Sequence, residues 1–258
     1  MTTIGITAPR VVSSEWRKQV SLRSTWWTWA VLVLAVATGV TNSVGVAVGA
    51  LTPNPDEIGP LGGTLSGLSA AEIVVVVLGV LAVTGEYATG AVRSSFTAVP
   101  ARTPVVLAKA AVVGVTVVGL SAVLLAGTFA ANRMLLATAG YPLPWTGPGI
   151  IRALAGTAVY LSAVALLASA VGWLLRSTAG AIGLVLGIIY VLPVIGLMLP
   201  ESIAGPYLRL LPSGAGAAMR EPLRVPEMLP AWGGFLVIAL WVAVFLAAAI
   251  AVVRRRDV

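Results

Sequence analysis

Six long apolar runs, 26–48, 65–83, 104–131, 150–174, 178–199 and 232–253, alternate with short charged or proline-containing segments. A helix needs about 20 apolar residues to cross a hydrocarbon core of roughly 30 Å, and each run meets or approaches that length. The runs are rich in Val, Leu, Ala and Gly and lack the polar–apolar alternation of a barrel strand. In lipid every backbone N–H and C=O must find a partner within the segment, which a helix provides. The pattern therefore predicts an all-α, polytopic membrane protein: one domain over 1–258 with six transmembrane helices. The first run is too long for the 7–15-residue apolar region of a cleavable signal, so it is read as the first span.

The connecting segments are unequal. Only Arg176 and Ser177 separate the fourth and fifth runs, which predicts a tight antiparallel hairpin. The segment 200–231 is long and proline-rich, and Leu208, Leu210 and Leu211 make it apolar enough to re-enter the membrane as short helices. Near the amino terminus Val12, Trp16 and Val20 recur every four residues, while Ser14, Arg17, Lys18 and Ser21 fall elsewhere. This spacing predicts an amphipathic interface helix over 11–23. Its Trp16, Arg17 and Lys18 serve either as a membrane anchor alone or also as a partner contact.

Charge orients the chain. The sixteen Lys and Arg outnumber nine Asp and Glu, giving a net charge of +7. With six spans both termini share one side. That side collects Arg10, Arg17, Lys18, Arg23, Arg93, Arg102, Lys109, Arg176, Arg254, Arg255 and Arg256, against Arg133, Arg152, Arg209, Arg220 and Arg224 opposite. Basic residues are retained on the cytoplasmic side, so both termini are expected there. Trp26, Trp27 and Trp29 then lie at the inner end of the first span, as an aromatic belt does. The basic residues flank apolar runs rather than forming one block, which points to membrane lipids as partners and not to nucleic acid.

The chain has neither Cys nor His, which excludes disulfides, thiol nucleophiles, Ser–His hydrolysis and His-ligated zinc. No G-x-x-x-x-G-K-[ST] loop occurs, so the usual ATP-binding element is missing. No carboxylate pair comes with a base or a metal set, and no matched pair of broken helices or internal repeat suggests an inverted-repeat carrier. The chain is read as a non-enzyme without a cofactor or metal of its own.

Three groups of residues stand out. The charged segment 84–110 predicts a helix over 86–99, with Ala88, Val92 and Phe96 on one face and Glu86, Gly90, Arg93 and Thr97 on another. Pro100 ends it, and Thr103–Pro104 supplies an N-cap and first-turn proline for the third span. Its charges are either simply solvated or form a coupling element. Glu72 is a carboxylate inside the second run, costing about 2.5–3.5 kcal/mol on insertion scales; it has an interfacial or packing role, or belongs to a pathway. Gly180, Gly183 and Gly187 in the fifth run allow close helix packing or form a flexible pathway or dimer seam. Pro193 beyond them removes a backbone donor and predicts a kink.

These pieces, in order, carry a resemblance. Ser14-Glu15-Trp16 and Ser24-Thr25-Trp26-Trp27 come first. Glu86-Tyr87 and Gly90 follow the second run, then Arg93 and Pro100-Ala101-Arg102, with Lys109 at the start of the third. Leu211-Pro212-Ser213 lies in the last outer loop, and Arg255-Arg256-Asp257 near the end. Over its whole length the chain resembles the permease subunits of type-2 ABC exporters, especially the stand-alone actinobacterial kind. It departs from many relatives at Gly214, where a polar Asn is expected. The resemblance implies a multi-pass protein of the bacterial plasma membrane, paired with a second permease copy or a homologous permease. It implies a separate ATPase subunit, which carries the ATP and Mg. It also implies an interface helix over 11–23, a coupling helix over 86–99, and short re-entrant helices within 200–231. Glu86, Tyr87, Arg93 and Arg102 are its expected coupling residues. The expected cargo is amphipathic or hydrophobic: a drug, lipid or peptide. Two other classes stand beside this one: a non-transporting membrane scaffold or sensor, and a secondary transporter.

Overall fold

The computed structural model describes residues 8–21, 23–49, 61–98, 102–141 and 145–255; their regular structure is helical, with no strand among them. In chain order the helices are α1 (Ala8–Ser21), α2 (Arg23–Ala37), a 3₁₀ turn (Thr38–Val40), α3 (Thr41–Ala47), α4 (Gly62–Leu65), α5 (Leu68–Thr89), α6 (Ala91–Ala98), α7 (Thr103–Thr138) and α8 (Ile150–Leu175). Then follow α9 (Thr178–Leu186), a π turn (Gly187–Val191), α10 (Leu192–Gly196), α11 (Glu201–Leu210), α12 (Pro212–Arg220) and α13 (Ala231–Arg255). Five of the described helical segments are long and apolar enough to cross a membrane, and six are if α1 and α2, bent 73° apart, count as one. At 1.5 Å per residue α1 alone is only about 21 Å long, short of a bilayer core. We therefore treat α2, the 3₁₀ turn and α3 as the first apolar rod, with α1 turned off it.

The central post is α8. Its apolar stretch is 78% buried, against 17% for α13, because α5, α7, α9, α12 and α13 all pack around it. Val75, Val76, Val80, Tyr160, Leu161, Val164, Ala165 and Ala168 form the heart of the main cluster. α5 and α8 approach closely at Gly79, where a Cβ would lie 2.2 Å from the Ala165 carbonyl oxygen. Small residues bring helices together in this way when lipid removes the hydrophobic incentive.

The glycines expected to pack span five behave differently. A Cβ at Gly183 or Gly187 meets nothing, and one at Gly180 meets only its own turn at Ser177 and Leu175. Within one chain they form an open face. The fifth span widens just before the expected kink: the Leu192 N–H reaches back to the Gly187 carbonyl, making a π turn ahead of Pro193. The extra residue per turn accommodates the donor that proline lacks.

The hairpin between α8 and α9 is as tight as its two-residue spacing predicts. Arg176 takes φ 54° and Ser177 caps α9, its hydroxyl accepting from Gly180 N at 3.3 Å. After α10, α11 and α12 form a V beside the bundle. Its apex reaches Trp241, ten residues into α13, whose indole N–H donates to the Leu210 carbonyl at 2.9 Å. Gly214 is explained here, since a Cβ would lie 2.0 Å from the Leu208 carbonyl oxygen. An Asn at this position would force the two arms of the V apart.

Gly79→Val should destabilise the protein by about 1–3 kcal/mol or more, the range for forcing extra atoms into a packed contact. Gly183→Ala should leave stability unchanged or raise it by up to about 1 kcal/mol through helix propensity. Unfolding in mixed detergent–SDS micelles would check both.

Candidate functional site

Two buried charge clusters lie near opposite ends of the bundle. One end gathers α1, the last turns of α5 and α13, the first turns of α7, and the α8–α9 turn. Val11, Val83, Val92, Val105, Trp173 and Val253 make its apolar floor. This α1 end holds the larger cluster. Lys109 of α7 lies 2.5 Å from Glu15 Oε2 and 2.8 Å from Glu86 Oε1. Lys18 lies 2.5 Å from Glu15 Oε1 and 3.3 Å from Glu86 Oε1. Two carboxylates and two ammonium groups thus neutralise one another across three helices. Glu15, Glu86 and Lys109 are all buried.

The sequence of α1 explains the inward charges. Its buried face is Val11, Glu15 and Gln19, whereas Val12 and Trp16 are 39% and 47% exposed. The predicted Val12–Trp16–Val20 stripe marks the outward side. The buried face is offset from it and largely polar, which is why apolar periodicity does not reveal it. Burial pulls the Lys18 pKa down, but Glu15 and Glu86 outweigh it and hold the ammonium above its usual 10.5. Its contribution to stability is therefore complete below pH 10.5 and fades only as pH rises through the raised value. Beside the cluster a cavity of about 40 Å³ is lined by Gln19, Thr25, Thr28, Leu78 and Glu86 among others. Gln19 Nε2 and Glu86 Oε2 have no hydrogen-bond partner among the described residues, and this volume accommodates water that would satisfy them.

The segment expected to form one helix over 86–99 is two. Gly90 takes φ 74° and ends α5; α6 starts afresh at Ala91. Glu86 belongs to α5 and points inward. The break separates exposed Ala88 from buried Val92, so the expected apolar stripe is not continuous. The side chains of Arg93 and Phe96, and Pro100 itself, lie outside the described residues. The expected Thr103 cap is also replaced: Arg102, with φ 49°, is the N-cap of α7, and Pro104 falls in its first turn. Thr103 Oγ1 instead accepts from Arg254 Nε at 2.9 Å. Arg102 Nη1 donates to the Val253 carbonyl at 3.1 Å, so the end of α13 is tied to the start of α7. Tyr87 packs edge-on against Trp173 at 5.7 Å, with the Arg176 guanidinium 5.1 Å from its ring.

The smaller cluster surrounds Glu72. Tyr190, from the π turn, donates to Glu72 Oε2 at 2.8 Å, and Arg220, at the end of α12, donates to Oε1 at 3.3 Å. The same guanidinium lies 5.0 Å from the centre of the Tyr160 ring. The carboxylate therefore joins α5, α8, the π turn and the α11–α12 V. Nearby, Asn132 near the far end of α7 donates to the Gly39 carbonyl at 3.2 Å and to Thr64 Oγ1 at 3.1 Å.

Of the residues singled out by sequence, Glu86 and Lys18 enter one cluster and Glu72 anchors the other. Tyr87 and Arg102 lie on the α1 end beside the first. Trp16 and Arg17 are exposed, and Gly180 and Gly183 face open space. Glu15, Arg220 and Tyr190 carry weight that sequence reading did not assign. The usable signal for Glu15 was its four-residue spacing from Val11 and Gln19. No metal-binding group of acidic residues occurs among the described residues. No protein-family model matches the chain, and no curated protein matches it.

Lys109→Met should cost about 3–5 kcal/mol, because it leaves two buried carboxylates facing one ammonium. Adding Glu15→Gln should recover much of that loss. The double-mutant cycle in SDS unfolding measures this coupling.

Proposed function

We infer that the chain is the membrane-spanning permease subunit of an ATP-driven exporter of the type-2 ABC kind. It lies in the plasma membrane with both termini in the cytoplasm, works with a separate ATPase subunit and pairs with a second permease. Its cargo is amphipathic or hydrophobic. In this reading α6 is the coupling helix, the part that a closing ATPase dimer pushes.

The observation that carries the reading is the Glu15–Lys109–Glu86 bridge. Glu86 stands one turn before the Gly90 break that starts α6, and Lys109 stands two turns after the Arg102 cap that follows it. A displacement of α6 therefore bears on α5 and α7 together, and through Glu15 and Lys18 on α1. Rigid-body movement of packed helices is how such a push reaches a conduit. Glu86 accordingly acts as a positioning residue within the joint, not as a contact on the docking surface. Two further features support the assignment. The two described non-glycine residues with positive φ, Arg102 and Arg176, both lie at this end, where strain of about 1–3 kcal/mol per residue has to be maintained by its surroundings. Gly180, Gly183 and Gly187 also present an open seam to a second copy.

The test is ATP turnover of the chain co-purified in lipid with the ATPase encoded beside it. Glu86→Gln and Arg93→Ala should each change turnover by about 5–150-fold, the range of a 1–3 kcal/mol coupling, while the complex stays assembled. A chain that fails to associate, or a turnover indifferent to both changes, would instead support a scaffold, a sensor or a secondary transporter.

A further inference from the structure

At the α1 end, Val12 and Ala111 of α7 line both of two adjoining apolar grooves. One, of about 570 Å³, is lined by Val12, Pro104, Leu107 and Ala111, with Thr103 and Arg254 at its mouth. The other, of about 680 Å³, is lined by Pro9, Val12, Trp16, Ala111 and Val115. Both fall within the roughly 300–1,000 Å³ of small-molecule sites. Their walls are unusually apolar for the edge of a basic surface: Trp16, Leu107 and Val115 are 47%, 48% and 68% exposed.

Length and charge define the occupant. From Pro104 to Val115 the grooves follow α7 for about 17 Å at 1.5 Å per residue. That is close to half of the roughly 30 Å hydrocarbon core, the depth of a single leaflet. At the mouth Arg254 commits its Nε to Thr103. Its Nη groups have no partner among the described residues, and a guanidinium fork suits a phosphate oxygen pair. We propose that this surface is a binding site for one anionic diacyl phospholipid, its acyl chains in the two grooves and its headgroup phosphate on Arg254. The lipid then completes the outer face of α1, the helix whose inner face holds the four-charge cluster. This site depends on the membrane-spanning character of α7 and not on the exporter reading, so either can fail without the other.

The experiment uses the full chain, delipidated in detergent, with dioleoyl phosphatidylglycerol or dioleoyl phosphatidylcholine added back. Native mass spectrometry counts retained lipid, and thermal unfolding reads its effect. Phosphatidylglycerol should be retained about fivefold more than phosphatidylcholine, the weight of one basic side chain at the membrane surface, and should raise the melting temperature. Arg254→Gln should abolish that preference, while Arg224→Gln, beyond α12, should leave it intact. Ala111→Trp, at an exposed position where the grooves meet, should remove retention without lowering the lipid-free melting temperature. Equal retention of the two lipids by the wild type, or a preference that survives Arg254→Gln, overturns the proposal. So does retention unaffected by Ala111→Trp, or a lipid-free dimer that Ala111→Trp dissociates, which would give the surface to a second copy.

Discussion

Three charges that must leave water together, Glu15, Glu86 and Lys109, hold the α1 end in one piece with the half-buried Lys18. Taking a carboxylate or an ammonium out of water costs several kcal/mol even after the protein relaxes, and only near-ideal pairing recovers it. Lys18 and Glu15 pair within α1, but Glu86 and Lys109 are satisfied only when α5, α7 and α1 have met. The cluster therefore specifies geometry more than it adds stability. An apolar joint at the same place would tolerate sliding, whereas this one has a defined register.

The opposite half of the bundle uses the same device on a smaller scale. Glu72 would be an expensive guest in α5 if Arg220 did not come down on α12 to meet it. That meeting requires the V of α11 and α12, and the V in turn requires Gly214 at its bend. Tyr190 reaches the same carboxylate from the π turn, so the irregularity caused by Pro193 orients a hydrogen-bond donor. Both clusters border helices that the apolar core alone would leave free to rotate about their axes.

How much of this was legible in the sequence follows from what each signal measures. Apolar run length is set by bilayer thickness, so it located the long helices well, and turn chemistry located Arg176–Ser177. The short helices α11 and α12 were legible from Leu208, Leu210 and Leu211 beside many prolines. The sequence does not say which side of a helix meets a neighbour: within the chain Gly79 makes the close contact and Gly183 does not. The helix expected over 86–99 failed at Gly90, since periodicity carries across a residue whose backbone turns left-handed. Glu15 escaped notice because a polar residue on an amphipathic helix is ordinarily assigned to solvent, and only its three-dimensional partners reverse that.

The length of α7 has a mechanical side. Its 36 residues make a rod of about 54 Å at 1.5 Å per residue, well beyond a bilayer core of roughly 30 Å. Lys109 engages the charges at one end, and Asn132 grips the Gly39 carbonyl and Thr64 at the other. About 34 Å of uninterrupted helix separates these two grips. Since a helix resists compression along its axis far better than it resists bending, an axial thrust on Lys109 would emerge at Asn132 almost undiminished. The two ends of this protein are in that sense the two ends of a single piston.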